Sequence, residues 1–188
     1  AVGFEKDLWL VLHLMIAGRL HWFPAGTPRS SRSALAAFIF DSGVLTLTEA
    51  GTKRRASMFV FQGEEGLRQQ DRGGLEVLDA SFEEFRERLL AENHTLKRSL
   101  TDPRAFSGIG NAYSDEILHH AQLSPVALTQ RLDEASIRRL YDAIRLVLPE
   151  WTQRLRAEAG DTFPEKVTAF RKGMAVHGRY GKPCPVCG

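Results

Sequence analysis

The sequence predicts an α+β fold in which short strands come first and helices follow. Three observations lead to this prediction: the hydrophobic periodicity changes near residue 80, a glycine-rich turn at residues 108–111 directly precedes a helical pattern, and a Cys-x-x-Cys pair lies within the last five of the 188 residues. Apolar residues make up 43% of the chain, which is ordinary for a protein with a buried core.

Before residue 80, turn signals separate short runs of apolar or alternating residues, which is the pattern of β-strands. Residues 24–33 read as a loop by composition. The first predicted strand is residues 8–12, and residues 19–22 continue it beyond a break at 17–18. Residues 35–40 and 44–48 are predicted to form a hairpin through the turn at 41–43. Residues 58–61 are the last predicted strand. Several short strands in succession predict a sandwich or a barrel.

Beyond the linker at residues 73–74, the periodicity becomes helical. Ser81 with Glu84 three residues later predicts a capping box at a helix start. Apolar residues at positions 137, 140, 144, 147 and 151 predict an amphipathic helix whose apolar side packs in the core. Pro149 interrupts this helix, so we expect a kink or two abutting helices there.

The turn at residues 108–111, called the glycine turn below, is the clearest functional pattern. Gly108 and Gly110 flank one apolar residue, and Asn111 follows directly before the helical pattern. Glycine tolerates positive φ and close backbone approach, so the N–H groups of such a turn and of the helix start can point at an anion. A phosphate is the expected anion, although glycine-rich turns before helices are also common without one.

Cys184 and Cys187 are the only cysteines of the chain. Two thiolates supply half of a tetrahedral zinc site. The alternatives are a redox pair or a disulfide-forming hairpin, but a redox Cys-x-x-Cys normally opens a helix. We expect the first half of a zinc ribbon. One neighbouring pair of cysteines also argues against a disulfide framework and favours a reducing, cytoplasmic compartment.

The charge balance permits nucleic-acid binding without demanding it. The formal net charge is +2, and the isoelectric point is near 8.7, which excludes histone-like binding through a basic tail. No apolar run approaches the roughly 20 residues of a membrane span. Neither internal repeats nor low-complexity tracts occur.

Three motifs in this order resemble the formamidopyrimidine-DNA glycosylase / endonuclease VIII family: a faint one at residues 13–20, then residues 92–125 with the glycine turn, then residues 176–188 with the cysteine pair. The resemblance covers almost the whole chain. It implies an incomplete N-terminal β-sandwich over residues 1–75, a helical helix–two-turns–helix DNA-binding domain over 76–172, and the first arm of a C-terminal zinc finger over 173–188.

The resemblance also implies a function, that of a monomeric DNA glycosylase/AP lyase of base excision repair. Such a protein acts on double-stranded damaged DNA, carries one zinc ion, and lies in the cytoplasm, with the nucleoid if bacterial. The family's nucleophile is the secondary amine of an N-terminal proline that precedes a glutamate. This chain begins Ala1-Val2-Gly3-Phe4, so we expect no catalytic residue in it, no turnover, and weak zinc binding.

Three explanations for the missing proline are open: the chain is a fragment, its first residues are not represented, or the protein has lost its chemistry. We favour a fragment. A noncatalytic DNA- or RNA-binding helix–two-turns–helix module is the alternative function. The zinc ligands expected from the resemblance are Cys184 and Cys187. The expected DNA-contacting residues are Ile16, Arg54, Arg55, Lys97, Arg104, Gly108, Gly110, Asn111, Tyr113, Arg179 and Lys182.

Each of these DNA contacts has a structural alternative, since an isolated basic side chain is usually solvated and a helical tyrosine usually packs in the core. In the family, an apolar residue and an arginine–phenylalanine pair fill the gap left by an everted base. Ile16 matches the apolar residue, and Arg54 or Arg55 matches the arginine. Ala56 stands where the phenylalanine is expected. The loop at 160–166 also looks short, so lesion preference stays open. His177 replaces an aromatic residue that is common in the family.

Overall fold

The computed structural model describes residues 1–27, 34–50, 52–165 and 167–188, and the chain divides into two compact units. The β unit comprises Ala1–Asp71 together with Asp161–Val167, and the helical unit comprises Arg72–Gly160 together with Thr168–Gly188. Sheets come first and helices follow, which confirms the predicted α+β class. The return of Asp161–Val167 to the β unit has no counterpart in the sequence patterns.

In the described residues of the β unit there are two antiparallel three-stranded sheets, with strand orders β1-β2-β6 and β3-β5-β4. Its elements are β1 (Val2–Phe4), β2 (Leu8–His13), β3 (Gly18–Pro24), β4 (Ala34–Phe40), β5 (Gly43–Glu49), β6 (Ser57–Gln62) and the short helix α1 (Gly63–Arg68). Phe40 lies opposite Gly43, so a two-residue turn closes the predicted hairpin. Residues 28–33 of the predicted loop lie outside the described residues.

Strand β3 is not the continuation of β2 that the sequence suggested, because the two strands belong to different sheets. The chain reverses in a tight turn in which the Gly18 N–H donates to the Leu14 carbonyl at 2.8 Å. A Cβ on Gly18 would lie 2.2 Å from that oxygen, so only glycine fits there. Apolar runs on both sides of a turn predict two strands, but hydrophobicity does not determine which neighbour each strand pairs with.

The helical unit is built from four helices around one apolar core. They are α2 (Phe82–Leu90), α3 (Leu96–Thr101), α4 (Asn111–His120) and α5 (Glu134–Ala159), with two short parallel strands β7 (Leu75–Glu76) and β8 (Phe106–Ser107). The most deeply buried core side chains include Phe85, Leu96, Leu100, Ile117 and Leu140. None of the helices in the described part of the chain is long and apolar enough to span a membrane.

Two predictions about helix ends and interruptions have different outcomes. The capping box is confirmed, because the Ser81 N–H donates to the Glu84 carboxylate at 2.8 Å while the Glu84 N–H donates to Ser81 Oγ. By contrast, α5 runs through Pro149 as one 26-residue helix, so the prediction of two abutting helices is wrong. Val147 and Trp151, on either side of the proline, are both buried in the same core, which stabilises a continuous helix.

Candidate nucleic-acid interface

The glycine turn leads from β8 into α4, and its backbone exposes the start of that helix. Gly108 has φ +80°, a conformation that favours glycine, and Ile109 is buried beneath the turn. Gly110 is the N-cap residue of α4, and no side chain caps the helix there. The first N–H groups of a helix have no partner within the helix and carry partial positive charge, so this turn can receive an anion.

The backbone conformation requires glycine at position 108 but not at position 110. Gly108 needs its left-handed conformation, whereas Gly110 has φ −94° and ψ 172°, which any residue adopts. A Cβ on Gly110 would meet no atom within 4 Å. The structure of the chain itself therefore does not require glycine at position 110.

Lys97 on α3 reaches the first turn of α4. Its ammonium donates to the backbone carbonyl of Asn111 at 2.6 Å and also forms an ion pair with Asp115. On the other side, His177 Nδ1 lies 2.8 Å from the second carboxylate oxygen of Asp115. Partial burial by itself would raise the pKa of Asp115, but the hydrogen bonds from Lys97 and His177 outweigh it and hold that pKa below its usual range.

Glu116 binds the segment that leads from the helical core toward the cysteines. Its carboxylate is buried and accepts backbone N–H groups from Ala175 at 2.7 Å, from Val176 at 3.0 Å and from His177 at 2.9 Å. A carboxylate that accepts three N–H groups keeps its charge satisfied away from water. No local spacing in the sequence pairs either acid, because Lys97 lies 18 positions before Asp115 and residues 175–177 lie about 60 positions after the two acids.

Two other sequence candidates in the helical unit are engaged in internal contacts. The Arg104 guanidinium forms two hydrogen bonds with the Asp102 carboxylate, at 3.2 and 3.0 Å. Together with the Arg104 backbone N–H, which donates at 2.9 Å, they lower the pKa of Asp102 to about 2. The Tyr113 ring packs against Trp151 with 5.8 Å between the ring centres. Burial raises the pKa of the Tyr113 hydroxyl. Tyr113 is half-buried and also lines a cavity of about 370 Å³, and its contact with DNA stays a prediction.

In the β unit, Ile16 lies at the tip of the turn between β2 and β3 and is 91% exposed. An apolar side chain this exposed has no packing role in its own unit. Arg54 and Arg55 lie on the loop after β5, of which Gly51 is outside the described residues. The buried Glu49 carboxylate accepts the Arg55 N–H at 2.8 Å and so holds one end of this loop.

The cysteine pair forms a compact turn in which the Gly188 N–H donates to the Cys184 carbonyl at 3.0 Å, and both thiols are free. His119, at the end of α4, has its Nε2 3.4 Å from Cys184 Sγ, and this contact is the largest cause that lowers the pKa of Cys184 to about 6. Within the described ranges, no three His, Cys, Asp or Glu side chains are arranged to hold a metal ion. Two cysteines at this spacing are ligands of the kind that structural zinc sites use, and they would supply two of four.

The two basic candidates beside the cysteines differ in their contacts. Arg179 donates to the Pro183 carbonyl at 3.1 Å and is half-buried, whereas Lys182 is exposed.

The structure brings Lys97, Asn111 and the two glycines together at one helix start. It places Ile16, Arg54 and Arg55 in the separately described β unit. Sequence reasoning missed Asp115, Glu116 and Glu49 as the residues that hold these segments.

Comparison with known proteins identifies a family that shares the helical region around the glycine turn. Residues 74–157, which include the glycine turn, match the formamidopyrimidine-DNA glycosylase H2TH domain. A formamidopyrimidine-DNA glycosylase of Heliobacterium modesticaldum is 34% identical and covers 98% of this chain and 69% of the relative. One from Pelotomaculum thermopropionicum is 32% identical over 100% of this chain and 69% of the relative. The chain thus spans about two thirds of the length of these relatives.

Solved structures share the fold. A complex of the Lactococcus lactis formamidopyrimidine-DNA glycosylase with DNA containing FAPY-dG has a TM-score of 0.79 at 24% identity, and covers 98% of this chain and 68% of that one. MutM in complex with DNA containing carbocyclic 8-oxo-G has a TM-score of 0.76 at 24% identity, with 97% and 67% covered. The matched helical domain, the identity to the curated relatives and the shared fold lead to one conclusion: this chain belongs to the formamidopyrimidine-DNA glycosylase / endonuclease VIII family.

Proposed function

We propose that residues 1–188 are the damaged-DNA-binding portion of a bifunctional DNA glycosylase/AP lyase of base excision repair. The observation that carries the proposal is the open start of α4. There the Lys97 ammonium donates to the Asn111 carbonyl, and no side chain caps the helix. Backbone N–H groups at a helix start, an amide side chain and one ammonium form a favourable site for a DNA phosphate. Such contacts bind DNA with little dependence on sequence.

The proposed role of the β unit is to supply the side chains that fill the gap left in the DNA stack by an everted base. Enzymes that act on a base inside a duplex rotate it out of the stack, and apolar or basic side chains enter the gap. Ile16 is the candidate for the apolar side chain because it is almost fully exposed at a turn tip. Arg54 and Arg55 are the candidates for the basic one. Relatives with solved structures hold DNA with FAPY-dG or carbocyclic 8-oxo-G, and oxidised bases are the substrate class proposed for this protein.

The proposed chemistry follows the family. A secondary amine attacks C1′ of the sugar, the damaged base leaves with the electrons of the glycosidic bond, and loss of a proton and ring opening give an imine. The cationic imine makes the adjacent C2′ proton acidic, and its removal expels the 3′ phosphate by β-elimination. The family's N-terminal proline has no counterpart among residues 1–188, so the role proposed for these residues is binding and positioning of the sugar.

Zinc is proposed as a structural ion held by Cys184 and Cys187 together with two further ligands. When bound, it would stabilise the fold around the cysteine pair. We expect the chain of residues 1–188 to bind zinc weakly, and a version extended by a second cysteine pair to bind one ion tightly. Metal analysis of both proteins tests this, and a stable stoichiometric ion in the shorter chain would contradict it.

The function is tested by two measurements on short duplexes that carry an abasic site, an oxidised guanine or an oxidised pyrimidine. Titrations measure binding, and borohydride reduction traps the imine as a covalent adduct visible on a gel. We expect residues 1–188 to bind damaged duplexes without trapping, and a version with an N-terminal proline segment to trap. If the extended protein binds but never traps, the chain is a noncatalytic binding module. If the short chain traps equally well, the nucleophile lies within it and Lys97 becomes the first candidate.

A further inference from the structure

Three side chains from separate segments of the helical unit form a continuous chain of contacts beside the glycine turn. Lys97 comes from α3, Asp115 from α4, and His177 from the segment that follows α5. Lys97 forms an ion pair with one oxygen of Asp115, while His177 Nδ1 lies 2.8 Å from the other oxygen. The His177 ring also stacks on Phe170 at 5.3 Å, so its orientation is determined from two sides.

The donors of Lys97 can be counted. An ammonium has three N–H groups. One donates to the Asn111 carbonyl at 2.6 Å and one to Asp115. Among the described residues these are its hydrogen-bond partners, which leaves a third N–H beside the open start of α4. A long, flexible lysine held in this way loses less conformational entropy on binding than a free one.

A carboxylate this close to a phosphate site has an opposing effect, because it repels the anion. Here both carboxylate oxygens of Asp115 are engaged, one by the ammonium and one by the imidazole. The neighbouring carboxylate, Glu116, is satisfied by three backbone N–H groups, including that of His177. His177 keeps Asp115 oriented toward Lys97 and masks the oxygen that would otherwise be free.

We propose that Asp115 and His177 are positioning residues for DNA binding: Asp115 holds the Lys97 ammonium at the start of α4, and His177 holds Asp115. The proposal rests on the proposed function of the glycine turn. It assigns an acidic side chain a favourable effect on the binding of a polyanion. That sign is the opposite of what charge alone predicts, and it makes the proposal testable.

The experiment measures the Kd for a short duplex with an abasic-site analogue over a range of salt concentrations. Asp115→Asn removes one negative charge, and by charge alone it would tighten binding. We expect it instead to raise Kd about fivefold and to lower the slope of log affinity against log salt by about one, as expected when a phosphate-contacting lysine is lost. Asp142→Asn, which removes an exposed carboxylate on α5, is the matched control and is expected to leave the Kd unchanged or slightly lower.

A double-mutant cycle tests whether the effect passes through Lys97. Asp115→Asn should weaken binding in the wild type and have no further weakening effect in Lys97→Ala. His177→Ala should weaken binding, and His177→Asn, whose amide N–H replaces Nδ1–H, should restore it. Both His177 variants lose the ring contact with Phe170, so their difference isolates the hydrogen bond. Thermal unfolding of every variant separates these effects from loss of folding.

The possible results are distinct. Tighter binding by Asp115→Asn, or equal weakening with and without Lys97, would overturn the positioning role. If Asn111→Ala weakens binding while Lys97→Ala does not, the phosphate site stands and the positioning role is wrong. If the wild-type chain shows no affinity for any duplex, the proposed function fails and the positioning role fails with it.

Discussion

Glu49, the last residue of β5, accepts the backbone N–H of Arg55 at 2.8 Å. The same carboxylate accepts the Ala56 N–H, and the Glu49 side chain is almost completely buried. A buried acid thus holds the end of the only run of three consecutive basic residues in the sequence, 53–55. The position of Arg54 and Arg55 therefore depends on an acidic residue several positions earlier.

The first prediction concerns this contact. Glu49→Gln replaces one accepting oxygen with an N–H₂ group that faces the backbone donors. We expect the free energy of unfolding to fall by about 1–3 kcal/mol, the usual cost of leaving buried polar groups unpaired. Chemical denaturation measures it. Glu64→Gln, which removes an exposed ion pair with Arg68, is the control and should change stability by less than about 1 kcal/mol.

The second prediction concerns Glu116, which holds residues 175–177 through three backbone hydrogen bonds. Glu116→Gln should lower the free energy of unfolding by about 1.5–3 kcal/mol, because hydrogen bonds to a charged group are lost. Amide hydrogen exchange should also become faster at those three N–H groups. Unchanged protection there would mean that another contact holds the segment. Glu150→Gln, an exposed position on α5, is the matched control.

The third prediction separates the two glycines of the glycine turn. Gly108→Ala places a Cβ at φ +80° and should cost about 1–2 kcal/mol of stability. Gly110→Ala meets open space in ordinary backbone geometry, so stability should stay the same. If a phosphate backbone approaches the turn closely, Gly110→Ala should nevertheless weaken DNA binding, as should Asn111→Ala. Unchanged affinity for both variants would mean that no phosphate binds there.

The fourth prediction concerns Arg104. Its hydrogen bonds hold the pKa of Asp102 at about 2. Because this pKa is lower in the folded state, the pair stabilises the fold above the ordinary pKa of an aspartate, about 4, and the contribution is lost as the pH falls toward 2. Arg104→Ala keeps the backbone N–H that donates to Asp102 at 2.9 Å. It should therefore raise the Asp102 pKa part of the way toward its ordinary value and reduce that pH dependence. NMR titration of the Asp102 carboxyl measures it.

The same variant also tests Arg104 as a DNA contact. If Arg104 is committed to Asp102, Arg104→Ala should leave the Kd for duplex DNA nearly unchanged, whereas Lys97→Ala should raise it. A similar loss of affinity in the two variants would show that Arg104 reaches DNA in spite of its ion pair.

Local patterns in the sequence determined most of the secondary structure. The capping box at Ser81 and the apolar period of α5 depend on residues three or four positions apart, which a reader of the sequence sees directly. The hairpin at residues 41–43 is equally local. The glycine turn is also local, because the pattern from which an anion site is predicted needs only four consecutive residues.

Tertiary structure alone decided which sheet β3 joins, that α5 continues through Pro149, and how the acidic residues are used. Strand pairing depends on partners that hydrophobicity does not specify, and Val147 and Trp151 pack on one core across the proline. Lys97, Asp115 and His177 are 80 positions apart from first to last. Their contacts exist only because folding brings α3, α4 and the segment after α5 together, and an interaction between distant charges leaves no periodic signal in the sequence.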